Sequence, residues 1–273
     1  MSNLTLRVLT ALVAAPLVLG AVWLGGWVFG VLTVVAAVLA QQEVMHMAEV
    51  RGEVEPNRWL GCTLGALAAV WPLVPYAIDL LVVGLLVLLV AELARRRVRP
   101  LENVAVTAFT VYYPATLFGY LVALREGPDD PLLGFWLAAG VFAMVWTADS
   151  FAYFTGKTWS SFAKTHPLFP RVSPKKTWEG SLGGFLGAVV SIALLKTWAV
   201  PDLSWLDVAA LGLIAGAISQ LGDLVESLFK RAAGVKDSAG YLPGHGGLMD
   251  RFDALLVATP LIYYYLLHVA QVF

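Results

Sequence analysis

Apolar residues run along this chain in blocks of about 20, the length a helix needs to cross a bilayer. The blocks fall at 4–24, 27–48, 59–76, 78–94, 103–124, 132–156, 178–198, 206–230 and 251–271. The pattern predicts an all-α, polytopic integral membrane protein with about nine transmembrane helices. The first block is long enough to span and others follow it, so it reads as a span rather than a cleaved leader. No internal repeat or low-complexity linker interrupts the series. One membrane domain over 1–273 is the simplest partition. Its first helices, about 1–130, have no assigned role; the polar loops and the helices around them, about 140–256, are where chemistry is expected.

Composition supports the membrane reading. Of the 273 residues 59% are hydrophobic and 14% charged, against roughly a quarter charged in soluble domains. The net charge of −1 is uninformative; the placement of the charges is not. The single cysteine, Cys62, excludes an internal disulfide and a thiolate metal cluster; its apolar neighbours predict a small buried, inert side chain.

Basic residues alternate in density from one inter-span segment to the next. Arg7, Arg51, Arg58, the run Arg95, Arg96, Arg97 and Arg99, then Lys157, Lys164, Arg171, Lys175, Lys176, Lys230, Arg231, Lys236 and Arg251 all fall on one face of a nine-span protein. The other face has Arg125 and Lys196 against Glu126, Asp129, Asp130, Asp202 and Asp207. The positive-inside rule puts the basic face, and the N-terminus, in the cytoplasm. The C-terminus is then outside. The run "RRRVR" reads either as a topology anchor or as an anionic-lipid site, and the anchor suffices.

Ionisable groups inside spans are costly and face a cavity or a partner. Six acids lie in or near spans: Glu43, Asp79, Glu92, Asp149, Asp223 and Glu226. Asp79 and Glu92 stand near span ends, where water is close. Glu43 and His46 share a helix face three residues apart, either lining a polar cavity or forming the wet cytoplasmic end of the second span. Ser219, Asp223, Glu226, Ser227 and Lys230 form one polar stripe at helical spacing. Two carboxylates there suit a hard cation through oxygen ligands; an internal Glu226–Lys230 ion pair is the plainer reading, and would leave Asp223 over.

The segment after that stripe, "LPGHGGLMDRFD", joins glycines to acids. Gly244, Gly246 and Gly247 permit tight backbone turns whose N–H groups approach a phosphate. Asp250 and Asp253 follow near the start of the ninth span. A helix N-terminus favours carboxylates, which accounts for Asp253 by itself. Asp250 and Asp223 stand on helices joined by a short turn and are placed to converge on one cation. In "KTWSSFAKTHPLFPRVSPKKTWEGSLGG", Lys175 and Lys176 precede Thr177 and Glu179. Ser173 or Thr177 caps the seventh span's helix, making a lysine-flanked N-terminus suited to phosphate. Gly180, Gly183, Gly184 and Gly187 admit close packing of another helix. Asp149 and Tyr153 lie a turn apart on the sixth span, which ends at Lys157. Lysines and glycine N–H groups suit a polyphosphate, and paired carboxylates a divalent cation. Their place at the cytoplasmic surface suits a reaction between a soluble polyphosphate and a lipid.

The run Ser227–Asp253 resembles the signature of the CDP-diacylglycerol synthases, or phosphatidate cytidylyltransferases. It reads S-x-F-K-R, then K-D after four residues, then L-P-G-H-G-G-L-M-D-R-F-D. "DSFAYFTGK" and "SPKKTWEGSLGG" are similar to that family's polar segments, so the likeness covers roughly 149–253. It implies the reaction CTP + phosphatidate → CDP-diacylglycerol + pyrophosphate with Mg²⁺, by an all-helical homodimer in the cytoplasmic membrane, its active site facing the cytoplasm. CTP, phosphatidate and the bilayer are the partners implied; no nucleic acid is. Asp223 and Asp250 match the metal positions. Lys230, Lys236, Asp237 and His245 match further signature positions, with a catalytic role expected. His245 either donates a hydrogen bond to phosphate or braces the loop. Substrate binding is expected of Asp149, Tyr153, Lys157, Ser173, Lys175, Lys176, Glu179, Glu226, Arg231, Gly246, Gly247 and Arg251.

A phosphatidate oxygen is anionic at neutral pH and needs no strong base. The difficulty is bringing two anions together, which a cation and lysines relieve by electrostatics and positioning. Direct in-line attack on the α-phosphorus is expected, without a covalent enzyme intermediate. The alternatives are a CTP-dependent polyprenol kinase, which would release CDP, and an ion-coupled transporter relaying through Asp149, Asp223 and Glu226. The polar residues gather on one face and form no path across the bilayer, which counts against transport.

Overall fold

The computed structural model describes residues 3–50, 52, 54–235, 238 and 246–273, with side chains from residue 12 onward. Its elements are helical apart from one short hairpin. They group into two compact units, Met1–Glu126 with Phe229–Arg251, and Gly127–Leu228 with Phe252–Phe273.

The first unit opens with α1 (Asn3–Leu24) and α2 (Gly26–Glu49). The break between them needs glycine, since Gly25 and Gly26 have φ of 63° and 50°. A Cβ on Gly25 would run into the side chains of Arg125 and Glu126. These two residues close both ends of the break. Arg125, 6% exposed, donates to the carbonyls of Val22 and Trp23, left over at the end of α1. Glu126 accepts the Gly26 N–H, 2.7 Å away, at the start of α2.

Helix α3 (Arg58–Ala69) is capped by the Asn57 side chain on the Leu60 N–H and runs for 12 residues. It gives way to a 3₁₀ turn at Trp71–Leu73, which contains Pro72. Helix α4 (Ala77–Arg95) follows. Helices α5 (Pro100–Thr110) and α6 (Leu117–Glu126) are joined by a π-turn, Val111–Thr116, kinked at Tyr113 ahead of Pro114. Polar side chains knit these helices. Gln41 donates to the Gly61 carbonyl, Asn103 accepts from the Glu55 N–H and donates to Glu92, and Thr107 accepts from the Asn57 N–H.

The second unit begins with α7 (Pro131–Ser160), a 30-residue helix with Pro131 at its first turn and Asp130 as its cap. The hairpin β1 (Pro167–Phe169) and β2 (Ser173–Thr177) follows, antiparallel, with Phe169 opposite Ser173. Thr177 caps α8 (Trp178–Trp198) by accepting the Gly180 N–H, one of the two caps foreseen for this helix. The glycine face of α8 lies against α7. A side chain at Gly180, Gly183, Gly184 or Gly187 would meet backbone carbonyls of Ala152, Phe151, Ala148 and Thr147 respectively. Helix α9 (Trp205–Leu213), started by a Ser204–Asp207 capping box, runs through a π-turn at Ile214–Ile218 into α10 (Gln220–Ala233). Helix α11 (Met249–His268) completes the chain's elements.

Among the described residues, six helical stretches are long and apolar enough to cross a membrane: Gly26–Glu49, Ala77–Arg95, Pro100–Glu126, Pro131–Ser160, Trp178–Trp198 and Trp205–Ala233. They coincide with six of the nine predicted spans. The other three differ for separate reasons. In α1 the described apolar stretch is Leu12–Leu24. The block 59–76 is a 12-residue helix and a turn. Helix α11 is of spanning length but carries Asp250, Arg251 and Asp253 in its first turns.

Candidate active site

In the second unit the polar residues meet around Asp223. Helix α10 brings Asp223 and Glu226 to one side, three residues apart, and α11 supplies Asp253. One oxygen from each of these carboxyl groups lies within 4.8 Å of the others. Glu226 is 1% exposed and Asp253 is 7% exposed. The close approach of α10 and α11 depends on Gly222, whose bare Cα faces the Asp253 carbonyl. Lys176 reaches over from β2: its Nζ lies 2.7 Å from the Asp223 carboxylate and donates to the Gln220 carbonyl at 3.2 Å. Ser227 donates to the other Asp223 oxygen.

Three carboxyl groups therefore lie together, with the Lys176 ammonium on Asp223. Hard oxygen donors at this separation fit a divalent cation. The sequence proposed Asp223 with Asp250 for that task. The structure sets Glu226 and Asp253 beside Asp223. The place of Asp253 in the first turns of a helix explains it without a ligand role, so the sequence does not single it out.

The hairpin that carries Lys176 is held by Glu179, which accepts the His166 N–H at 3.2 Å and pairs with His166 Nδ1 at 2.7 Å. Glu179 therefore shapes the loop. Ser173 pairs with Phe169 in the hairpin, and Lys175, next to Lys176, is exposed. Asp149, Tyr153 and Lys157 follow one exposed face of α7, with the Lys157 ammonium 5.7 Å from the centre of the Tyr153 ring.

In the first unit a second polar cluster forms around Asp250. Lys230 Nζ donates to Asp250 Oδ1 at 2.5 Å. Asp250 Oδ2 accepts the Gly247 N–H at 2.8 Å and the Ser238 N–H at 3.3 Å. Gly246 adopts a φ of 75°, the left-handed turn foreseen for this segment. Gly247 contributes in another way: its N–H is committed to Asp250 and a Cβ there would strike Ser238 and Glu43. Arg231 and Arg251 are exposed. Lys236, Asp237 and His245 lie outside the described residues.

Glu43 is the residue that sequence reasoning missed here. Its spacing from His46 suggests only a cavity lining or a wet helix end. It is 0% exposed and accepts three hydrogen bonds, while His46, on the same helix face, is exposed. Its partners lie about 200 residues away in the chain, so spacing gave no signal of them.

Residues 5–269 match the cytidylyltransferase family. The chain belongs to that family. Similar cytidylyltransferases named phosphatidate cytidylyltransferase occur in several organisms. The one from Brucella abortus biovar 1 (strain 9-941) is 33% identical over 267 residues, covering 96% of this chain and 93% of the relative. The one from Synechocystis sp. is 31% identical over 288 residues, covering 96% of each. The one from Haemophilus influenzae is 41% identical over 162 residues, covering 58% of this chain and 55% of the relative. The match therefore extends through the N-terminal helices of this cytidylyltransferase, where the sequence by itself had shown only apolar blocks.

Proposed function

We propose that this cytidylyltransferase is a phosphatidate cytidylyltransferase, converting CTP and phosphatidate to CDP-diacylglycerol and pyrophosphate. What carries the reading is the Asp223–Glu226–Asp253 set with Lys176 across it, in a chain matching this family over nearly its whole length.

Mg²⁺ would be held by Asp223 with Glu226 and Asp253, and would supply charge neutralisation and polarisation at the α-phosphorus. The resemblance also assigns a metal role to Asp250, whose counter-charge within its own unit is Lys230. Lys176 and Lys175 hold phosphate oxygens of CTP at the mouth of α8. Arg231 and Arg251, exposed at the ends of the signature, attract the anionic lipid headgroup. Lys236, Asp237 and His245 are assigned to the reaction by resemblance alone. A phosphatidate oxygen attacks the α-phosphorus in line; the new P–O bond forms as the bond to the β-phosphate oxygen breaks, and pyrophosphate leaves. The attacking oxygen is already ionised, so no residue has to remove a proton.

The reading extends to topology and assembly. Nine spans, a cytoplasmic active site and an external C-terminus are supported by the one-sided Lys and Arg distribution. A homodimer rests on the resemblance.

The deciding experiment follows the label. CTP labelled on the α-phosphorus, incubated with purified protein, phosphatidate and Mg²⁺, should label the lipid. CTP labelled on the γ-phosphorus should label pyrophosphate and leave the lipid unlabelled. The reverse distribution would make the protein a CTP-dependent lipid kinase.

A further inference from the structure

Glu43 stands on α2, and the residues it holds stand at the far end of the sequence. Its Oε1 accepts the Leu248 N–H at 2.7 Å. Its Oε2 accepts the Met249 N–H at 2.9 Å and the Ser238 hydroxyl at 2.7 Å. Leu248 immediately precedes α11 and Met249 is its first residue, where the first N–H groups of a helix have no partner within the helix. A carboxylate there satisfies two of them and complements the helix dipole. A fully buried acid is costly unless it is hydrogen-bonded in this way.

The same contacts lead to Asp250. Ser238 Oγ lies 3.1 Å from Asp250 Oδ2 as well as beside Glu43, so one hydroxyl stands between two carboxyl groups. The Ser238 N–H and the Gly247 N–H hold that same Asp250 oxygen. Gly247 has no room for a side chain, because Ser238 and Glu43 fill the space where its Cβ would be. Glu43, Ser238, Gly247, Asp250 and Lys230 therefore form one connected network inside a single unit.

We infer that Glu43 is a positioning residue for cytidylyl transfer. It fixes the first turn of α11 directly and Asp250 through Ser238, and so sets where the Asp250–Lys230 pair stands. The catalytic half of this inference rests on the proposed function above. Both Glu43 oxygens accept hydrogen bonds. A glutamine has one acceptor oxygen, and its amide would turn N–H groups toward backbone N–H groups.

The test uses the full chain in detergent. Glu43→Gln should reduce kcat by about 10- to 100-fold, the range found for residues that orient metal or ligand groups from behind. The midpoint of its Mg²⁺ titration should rise, which a mere loss of folded enzyme would not cause. Without metal, hydrogen exchange at the Leu248 and Met249 amides should be faster than in the wild type. His46→Gln, an exposed change on the same helix, should alter none of these. Ser238→Ala should lower kcat less, at an unchanged melting temperature, and should add nothing in the double variant with Glu43→Gln. It also carries the test if Glu43→Gln does not fold. Wild-type exchange at Leu248 and Met249 in Glu43→Gln would overturn the clamp. Faster exchange with wild-type kcat, wild-type kcat in Ser238→Ala, or multiplicative losses in the double variant would overturn the positioning role. A wild-type protein that transfers no α-label would instead remove the functional reading, and the metal-free exchange would still decide the clamp.

Discussion

Lys176 on β2 and Asp223 on α10 form an ion pair at 2.7 Å, with the Lys176 ammonium also on the Gln220 carbonyl. This sets Lys176 apart from Lys175, its exposed neighbour. Lys176→Ala should raise KM for CTP by about 10-fold or more, as for loss of a charged hydrogen bond. Lys175→Ala should have a smaller effect, and neither should change KM for phosphatidate. Initial rates over a CTP titration check this; equal effects from the two variants would remove the distinction.

Asp253 offers a sharper test of the carboxylate set, because its helix position alone predicts only a modest stabilising role. Asp223→Asn and Asp253→Asn should each lower kcat/KM by at least about 100-fold, equivalent to about 2.7 kcal/mol of transition-state stabilisation. Both should remain folded, because shape is retained. Chelation of divalent cations should abolish the wild-type reaction, and added Mg²⁺ should restore it. Asp253→Asn with near-normal activity at low Mg²⁺ would confine the metal to other ligands.

The contact between α7 and α8 predicts a stability effect without any change of chemistry. Gly184→Leu places a side chain against the Ala148 carbonyl and Gln220. Overpacking of this kind costs about 1–3 kcal/mol, and a lower melting temperature in detergent is expected. Leu182→Ala, at an exposed position on the same helix, should change the melting temperature far less.

Topology can be checked independently of activity. Reporter tags inserted after residue 100 and within 160–172 should be cytoplasmic, and a tag after Phe273 external. A cytoplasmic C-terminus would reduce the number of spans by an odd number.

The long spans and the α8 glycine face were legible in the sequence because each obeys a local rule: a run of apolar residues, or small residues one turn apart. The Thr177 cap was legible for the same reason. The Asp223–Glu226 pair could be read from helical spacing, but not its completion by Asp253 from α11. The hairpin at Pro167–Thr177 has only three residues in its first strand and is held by His166 and Glu179, so no alternation announced it. The shortness of α3 is explained by Pro72, which the apolar count passed over. Glu43 was least legible of all, because helix α2 has no local need of a carboxylate and the need lies at α11.

The clip at the α1–α2 break bears on how the chain is made. Arg125 and Glu126 are translated about 100 residues after the carbonyls and the N–H they satisfy. Until α6 leaves the ribosome, the Val22 and Trp23 carbonyls and the Gly26 N–H must be served by water, lipid headgroups or the insertion machinery. The first two helices can enter the membrane in order of synthesis, but their junction closes only when the sixth arrives. A chain that ends between residues 50 and 120 therefore has its first hairpin without the side chains that seal its junction.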